Sequence, residues 1–260
     1  MSARHDPAYG ADVITAGVDL AAEPQGTAIA SIDWSTERAT VRTLVLGGDD
    51  AAILDAVADA DKVGIDCPLG WPVPFIEFIA GHRDGRVAIP PGVSGRDWRR
   101  KLAFRATDAA VHQLTGLTPL SVAADRIGHT AMRCAGLLAQ LALNGQAVDR
   151  RGTGVVVEVY PAASLKQWGL PSRGYKGTRN VATLTALADT LLAAAPWLAL
   201  GEFYNVCCRS HDAIDAVVAA MTARAASLDL VTTPTAEQSD VAAVEGWIAI
   251  PTSGLGELKP

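Results

Sequence analysis

Residues 12–66 read DVITAGVDLAAEPQGTAIASIDWSTERATVRTLVLGGDDAAILDAVADADKVGID, and this stretch decides the fold. Residues 12–19 form an apolar run of strand character. Residues 26–33 (GTAIASID) and 39–46 (ATVRTLVL) follow as two further strands, separated by the polar turn WSTER. Three consecutive strands with short turns make an antiparallel meander. DDAAILDAVADA then puts Ile53, Leu54 and Val57 on one face of a helix opened by acidic residues. Residues 62–66 are a short buried strand, stopped by Pro68 and Gly70. The order β-β-β-α-β is therefore expected.

Outward from this core, residues 1–11 read as a disordered lead-in. The stretch 70–150 changes character: WPVPFIEF suits a turn entering a helix, and GHRDGRVAIPPGVSG is a Gly/Pro-rich loop with the composition of a lid. Helical patterns follow in RDWRRKLAFRATDAAVHQL and SVAADRIGHTAMRCAGLLAQLAL. Val155 to Tyr160 is a β-branched strand stopped by Pro161. Residues 181–198 and 211–226 read as helices, and EGWIAIP as a last strand or a Trp packed on the core. The expectation is one domain over 1–260, with a helical insertion at about 70–150.

Composition narrows the function classes. Of 260 residues, 49% are hydrophobic and 19% charged, which excludes a disordered chain. The longest apolar stretch, 181–200, contains Asp189 and Pro196, so it reads as a buried helix and no membrane association is expected. The four cysteines form no C-x-x-C pair and no zinc spacing; reduced thiols in a cytoplasmic protein are expected. A net charge of −6 argues against a sequence-blind, high-affinity nucleic-acid binder but not against a nuclease, whose metal ligands are themselves acidic. Basic residues are dense in GRDWRRKLAFR and in LKQWGLPSRGYKGTR (Lys166, Arg173, Lys176, Arg179), the two candidate docking surfaces for an anion.

Acidic residues in apolar surroundings carry the chemistry. Asp19 closes ITAGVD, Asp66 closes VGID, Glu158 sits in VVVEVYP, and Asp212 and Asp215 open HDAIDAVVAA. A carboxylate in an apolar run is costly to bury uncompensated, and several together repel unless they share protons or a cation. A divalent ion held by oxygen ligands, Mg²⁺ or Mn²⁺, answers both. Bland roles compete: Asp212 suits the first turn of a helix capped by Ser210, and Asp66 before Cys67-Pro68 suits a turn. Val156, Glu158 and Tyr160 share one strand face, so Glu158 needs a partner if both faces are buried. His211 is a candidate to position water or shuttle a proton, and Lys176 in GYKG is a candidate phosphate contact.

This order, with Asp19 on the first strand, Asp66 on the fourth and a late Asp-x-x-Asp helix, resembles the ribonuclease-H-like fold. The late helix resembles that of Holliday-junction resolvases. The ordered set GVDLA, GIDCPLGWP, FRATD, VVEVYP, GYKG, HDAIDAVVAA and EGWIAIP, over about 14–251, resembles the domain-of-unknown-function 429 family. The resemblance implies an α/β, mixed five-stranded sheet flanked by helices, and a metal cluster of Asp19, Asp66, Asp212 and Asp215. Glu158 lies one strand later than the resolvase's carboxylate, as a fifth or substitute ligand. Arg105 and Asp108 in FRATD match a family motif, as an internal salt bridge or a substrate clamp.

The function expected is a two-metal phosphodiesterase acting on nucleic acid. An actin-like or sugar-kinase-like phosphotransferase or nucleotide hydrolase is the alternative on the same fold; its phosphate loop has only Gly26-Thr27 as a cue. A third is an inactive nuclease-like binding protein.

Overall fold

The computed structural model describes residues 13–34, 37–177 and 180–260. The expected lead-in 1–11, Asp12, Ser35 and Thr36 of the polar turn, and Arg179 lie outside the described residues. The elements begin with β1 (Ile14–Asp19), β2 (Ala28–Asp33), β3 (Ala39–Leu46), α1 (Asp50–Asp59) and β4 (Lys62–Asp66). Four helices follow: α2 (Val73–Arg83), α3 (Gly95–Ala103), α4 (Ala106–Thr115) and α5 (Gly128–Leu143). Next come β5 (Val156–Val159), α6 (Pro161–Gln167), α7 (Val181–Ala194), β6 (Leu198–Ala199) and α8 (Tyr204–Cys207). The chain then forms α9 (His211–Ser227), α10 (Ser239–Glu245) and β7 (Ile248–Ala249).

Among the described residues the sheet has seven strands, in the order β6-β3-β2-β1-β4-β5-β7, not the five expected from the sequence. β1, β2 and β3 form the antiparallel meander, while β4, β5 and β7 run parallel to β1 and one another. The extra strand β6 was read as the end of a helix. That helix stops at Ala194, two residues before Pro196, and Leu198 and Ala199 pair parallel with Ala39 and Thr40 at the sheet edge. A proline disfavours helix for the residue before it.

Alternation along β1 divides the core. Ala16 and Val18 face one layer, packed with Ile53 and Val57 of α1 and with Leu137, Leu138 and Leu141 of α5. Thr15 and Gly17 face α9: the Thr15 hydroxyl donates to the Ala220 carbonyl at 2.9 Å and accepts from Trp34 Nε1 at 2.8 Å. Helix α9 is buried nearly all round from Ala213 to Ala225, and its small residues are what let it come so close to the sheet. Gly17 and Gly64 stand opposite each other in the β1–β4 register. A Cβ on Gly17 would lie 2.1 Å from the Ala216 carbonyl oxygen, and one on Gly64 would lie 2.5 Å from that of Ala219.

The stretch that read as continuous helix from Arg96 breaks at Phe104 and Arg105, separating α3 from α4. All four cysteines are free and buried. Among the described residues, no helix is long and apolar enough to cross a membrane.

Candidate active site

Two residues beyond the paired glycines, β1 and β4 end in Asp19 and Asp66, directly in register. Strand alternation sends both side chains to the face on which Gly17 and Gly64 admit α9. The two carboxyl groups are close enough for each to shift the other's hold on its proton. Helix α9 delivers the third acid: Asp215 is fully buried on the turn preceding Ala216, the residue that meets Gly17. Its Oδ1 accepts a hydrogen bond from the Tyr175 hydroxyl at 2.8 Å. Its Oδ2 faces the Lys176 ammonium at 2.7 Å, a contact whose geometry makes it an ion pair rather than a directed hydrogen bond. Tyr175 and Lys176 come from residues 172–177, where Gly174 and Gly177 adopt φ of +80° and +104°, backbone states that glycine enters freely.

Asp19, Asp66, Tyr175 and Lys176 line a cleft of about 790 Å³, whose walls also carry Arg105, Glu158, Arg126, Arg173, Tyr160, His211 and Asp212; Asp215 lies buried behind Tyr175 and Lys176. Burial raises the Asp19 carboxyl well above its ordinary range, and the charges of Asp215 and Asp66 add to that; Lys176 opposes them. Burial likewise pushes Asp66 up to about 7, against the Lys176 ammonium and with Asp215. Burial and mutual repulsion thus favour the protonated form at this pair of acids. Burial works against charge on Lys176, but Asp215, Asp66 and Asp19 outweigh it and keep the ammonium protonated. Burial and Asp215 also hold the Tyr175 hydroxyl protonated above its usual range.

A stability prediction follows. Asp66 binds its proton up to about 7 in the folded chain but releases it near 3.8 once unfolded. Between those values the folded state carries more protons, so stability falls as pH rises. Urea midpoints measured without divalent ions should therefore decline from pH 5 to pH 7.5, and Asp66→Asn should flatten that slope. A wild-type midpoint rising over this window contradicts the protonated pair.

The five acids are not equally free to share a ligand. Glu158 is buried, with Oε1 held by Arg105 Nη2 at 2.7 Å and Oε2 by Arg105 Nη1 at 2.9 Å and the Leu69 amide at 3.0 Å. It lines the same cleft as Asp19 and Asp66, but both its oxygens are committed and it serves as the counter-ion of Arg105. Asp108 takes the other side of the same guanidinium, at 2.9 Å. Of the two roles weighed for FRATD, the structure displays the internal salt bridge. Asp212 pairs with its neighbour, its Oδ1 2.8 Å from His211 Nδ1, and Ser210 caps the helix by accepting from the Ala213 amide. Among the described residues, no group of three or more His, Cys, Asp or Glu side chains is disposed to hold a metal ion. The Thr27 hydroxyl, cue for a phosphate loop, accepts from Arg133 Nη1 at 2.8 Å and the Ala21 amide at 3.2 Å.

The chain matches a family model described as "Protein of unknown function (DUF429)" over residues 17–239. It belongs to the DUF429 family. No curated protein and no solved structure matches it. The matched span of this DUF429 chain contains every acid discussed above, and also Tyr160, Tyr175 and Arg126, which the sequence reading did not single out as site residues. Tyr175 had one visible signal, its place beside Lys176 in GYKG. Arg126 had none, because it reaches the cleft only through the fold of the segment before α5.

Proposed function

We propose that this DUF429 chain is a divalent-cation-dependent phosphodiesterase acting on nucleic acid, built on a ribonuclease-H-like arrangement of strands. The observation that carries the reading is the in-register pair Asp19 and Asp66 at the ends of parallel neighbours, in a cleft with Lys176, which is paired to the buried Asp215. The meander followed by parallel strands supports the fold assignment. Free, buried cysteines fit a reducing, cytoplasmic setting.

Hard carboxylate oxygens suit Mg²⁺ or Mn²⁺, and Mg²⁺ commonly uses only one or two carboxylates, with waters and substrate phosphate completing its shell. Asp19 and Asp66 would hold it. When bound, such an ion polarises a phosphoryl oxygen and lowers the pKa of water. The chain's own groups do the remainder. Arg126, Arg173 and Lys176 face the cleft and draw the phosphate in. The Nδ1 of His211 is held against Asp212, which leaves Nε2 to orient a water or take its proton. The Tyr175 hydroxyl fixes the rotamer of Asp215.

The test is cleavage of single-stranded, duplex and branched DNA and RNA with Mg²⁺ or Mn²⁺. Activity in Asp19→Asn should fall by about 100-fold or more, matching several kcal/mol of lost charge stabilisation. Undiminished cleavage by that variant sinks the reading. One observation favours an inactive nuclease-like binding protein instead: the Lys176 ammonium already neutralises Asp215. Absence of Mn²⁺ binding at millimolar concentration would select that alternative.

A further inference from the structure

Asp215 is not free to take a second divalent ion. Asp19 and Asp66 stand side by side in register at the ends of β1 and β4 and line the cleft, whereas Asp215, fully buried, has turned its two oxygens to Tyr175 and Lys176, the latter through an ion pair of 2.7 Å. Glu158 and Asp212, the other carboxylates nearby, are engaged by Arg105 and His211.

We propose that the site takes one divalent ion, between Asp19 and Asp66, and that the Lys176 ammonium is the resident second cation, standing at Asp215 where a second ion would otherwise bind. This rests on the reading that Asp19 and Asp66 hold a divalent cation. The chemistry follows the placement. A lysine is a compact point charge that can face both a carboxylate and a phosphate oxygen, and half of its side chain is exposed to the cleft. The turn that presents it is bracketed by two left-handed glycines, so its position is written into the backbone.

The experiment is Mn²⁺ stoichiometry by titration calorimetry, with free-ion electron paramagnetic resonance as a second count. The wild-type chain should bind one Mn²⁺, Lys176→Arg one, and Lys176→Met two, the second ion taking the vacated carboxylate. Two ions in the wild-type chain overturn the proposal, whether or not the variants fold. So does a single ion in a folded Lys176→Met, or no binding in any form. Hydrolysis is scored separately. One ion in the wild type and two in Lys176→Met, with no phosphodiester cleavage, would defeat the nuclease reading and leave the cation count standing.

Discussion

Replacing Arg105 with methionine should lower stability by about 3–5 kcal/mol, the usual cost of removing one partner from a buried ion pair. That is a large part of the roughly 5–15 kcal/mol that holds a typical domain folded. Arg105 is 2% exposed and serves two carboxylates, Asp108 at 2.9 Å and Glu158 at 2.7 Å. Its Nη1 also donates to the Glu245 carbonyl at 3.0 Å. One side chain thereby ties α4, β5 and the end of α10 together. Methionine fills much of the volume but leaves two buried acids without a counter-charge. Lysine should recover little, since a point charge cannot reproduce the forked contacts of a guanidinium. Urea midpoints by circular dichroism check this, and adding Glu158→Gln and Asp108→Asn to Arg105→Met should restore part of the loss. A midpoint unchanged in Arg105→Met would show that the network is not structural.

Gly17→Ala should destabilise by about 3 kcal/mol or more, at or beyond the upper end of ordinary overpacking. The added carbon would lie 2.1 Å from the Ala216 carbonyl oxygen and 2.2 Å from the Ala220 amide nitrogen. Both are backbone atoms of a helix, so no rotamer change relieves the clash and α9 must move off the sheet. Gly64→Ala should behave alike, against the Ala219 carbonyl oxygen at 2.5 Å. Gly136→Ala is the internal control: it lies in α5 with nothing within 4 Å of the added carbon. There alanine should be neutral or stabilising by up to about 1 kcal/mol, from helix propensity alone. Equal midpoints for Gly17→Ala and Gly136→Ala would refute the close approach.

The first half of this fold was legible because its signals are local. β1, β2 and β3 alternate, short polar turns join them, and α1 opens on Asp49, whose side chain accepts from the Ala52 amide. The edge strand β6 was not legible, since two residues carry no periodicity and its place depends on pairing with β3. The break at Arg105 was hidden for another reason. No glycine or proline marks it; the chain turns because Asp108 takes the Arg105 amide at 2.9 Å. The need of Glu158 for a partner could be read from its strand, but not which residue would supply it. Likewise, clustered acids could be read from sequence, while the division of labour among them required knowing that Lys176 arrives from 39 residues before Asp215.

The glycine seam also sets where the molecule can breathe. Amides of β1, β4 and the middle of α9 lie in a closely interlocked contact, so their hydrogen exchange should proceed only through global opening. Asp19, Asp66 and Asp215 are mounted on that unit. Tyr175 ties residues 172–177 to that unit, since its side chain is buried and its hydroxyl holds Asp215, while Lys176 beside it is half exposed. The carboxylate frame should therefore stay fixed for as long as the protein stays folded, and adjustment to an arriving ligand falls to the half-exposed lysine side chain.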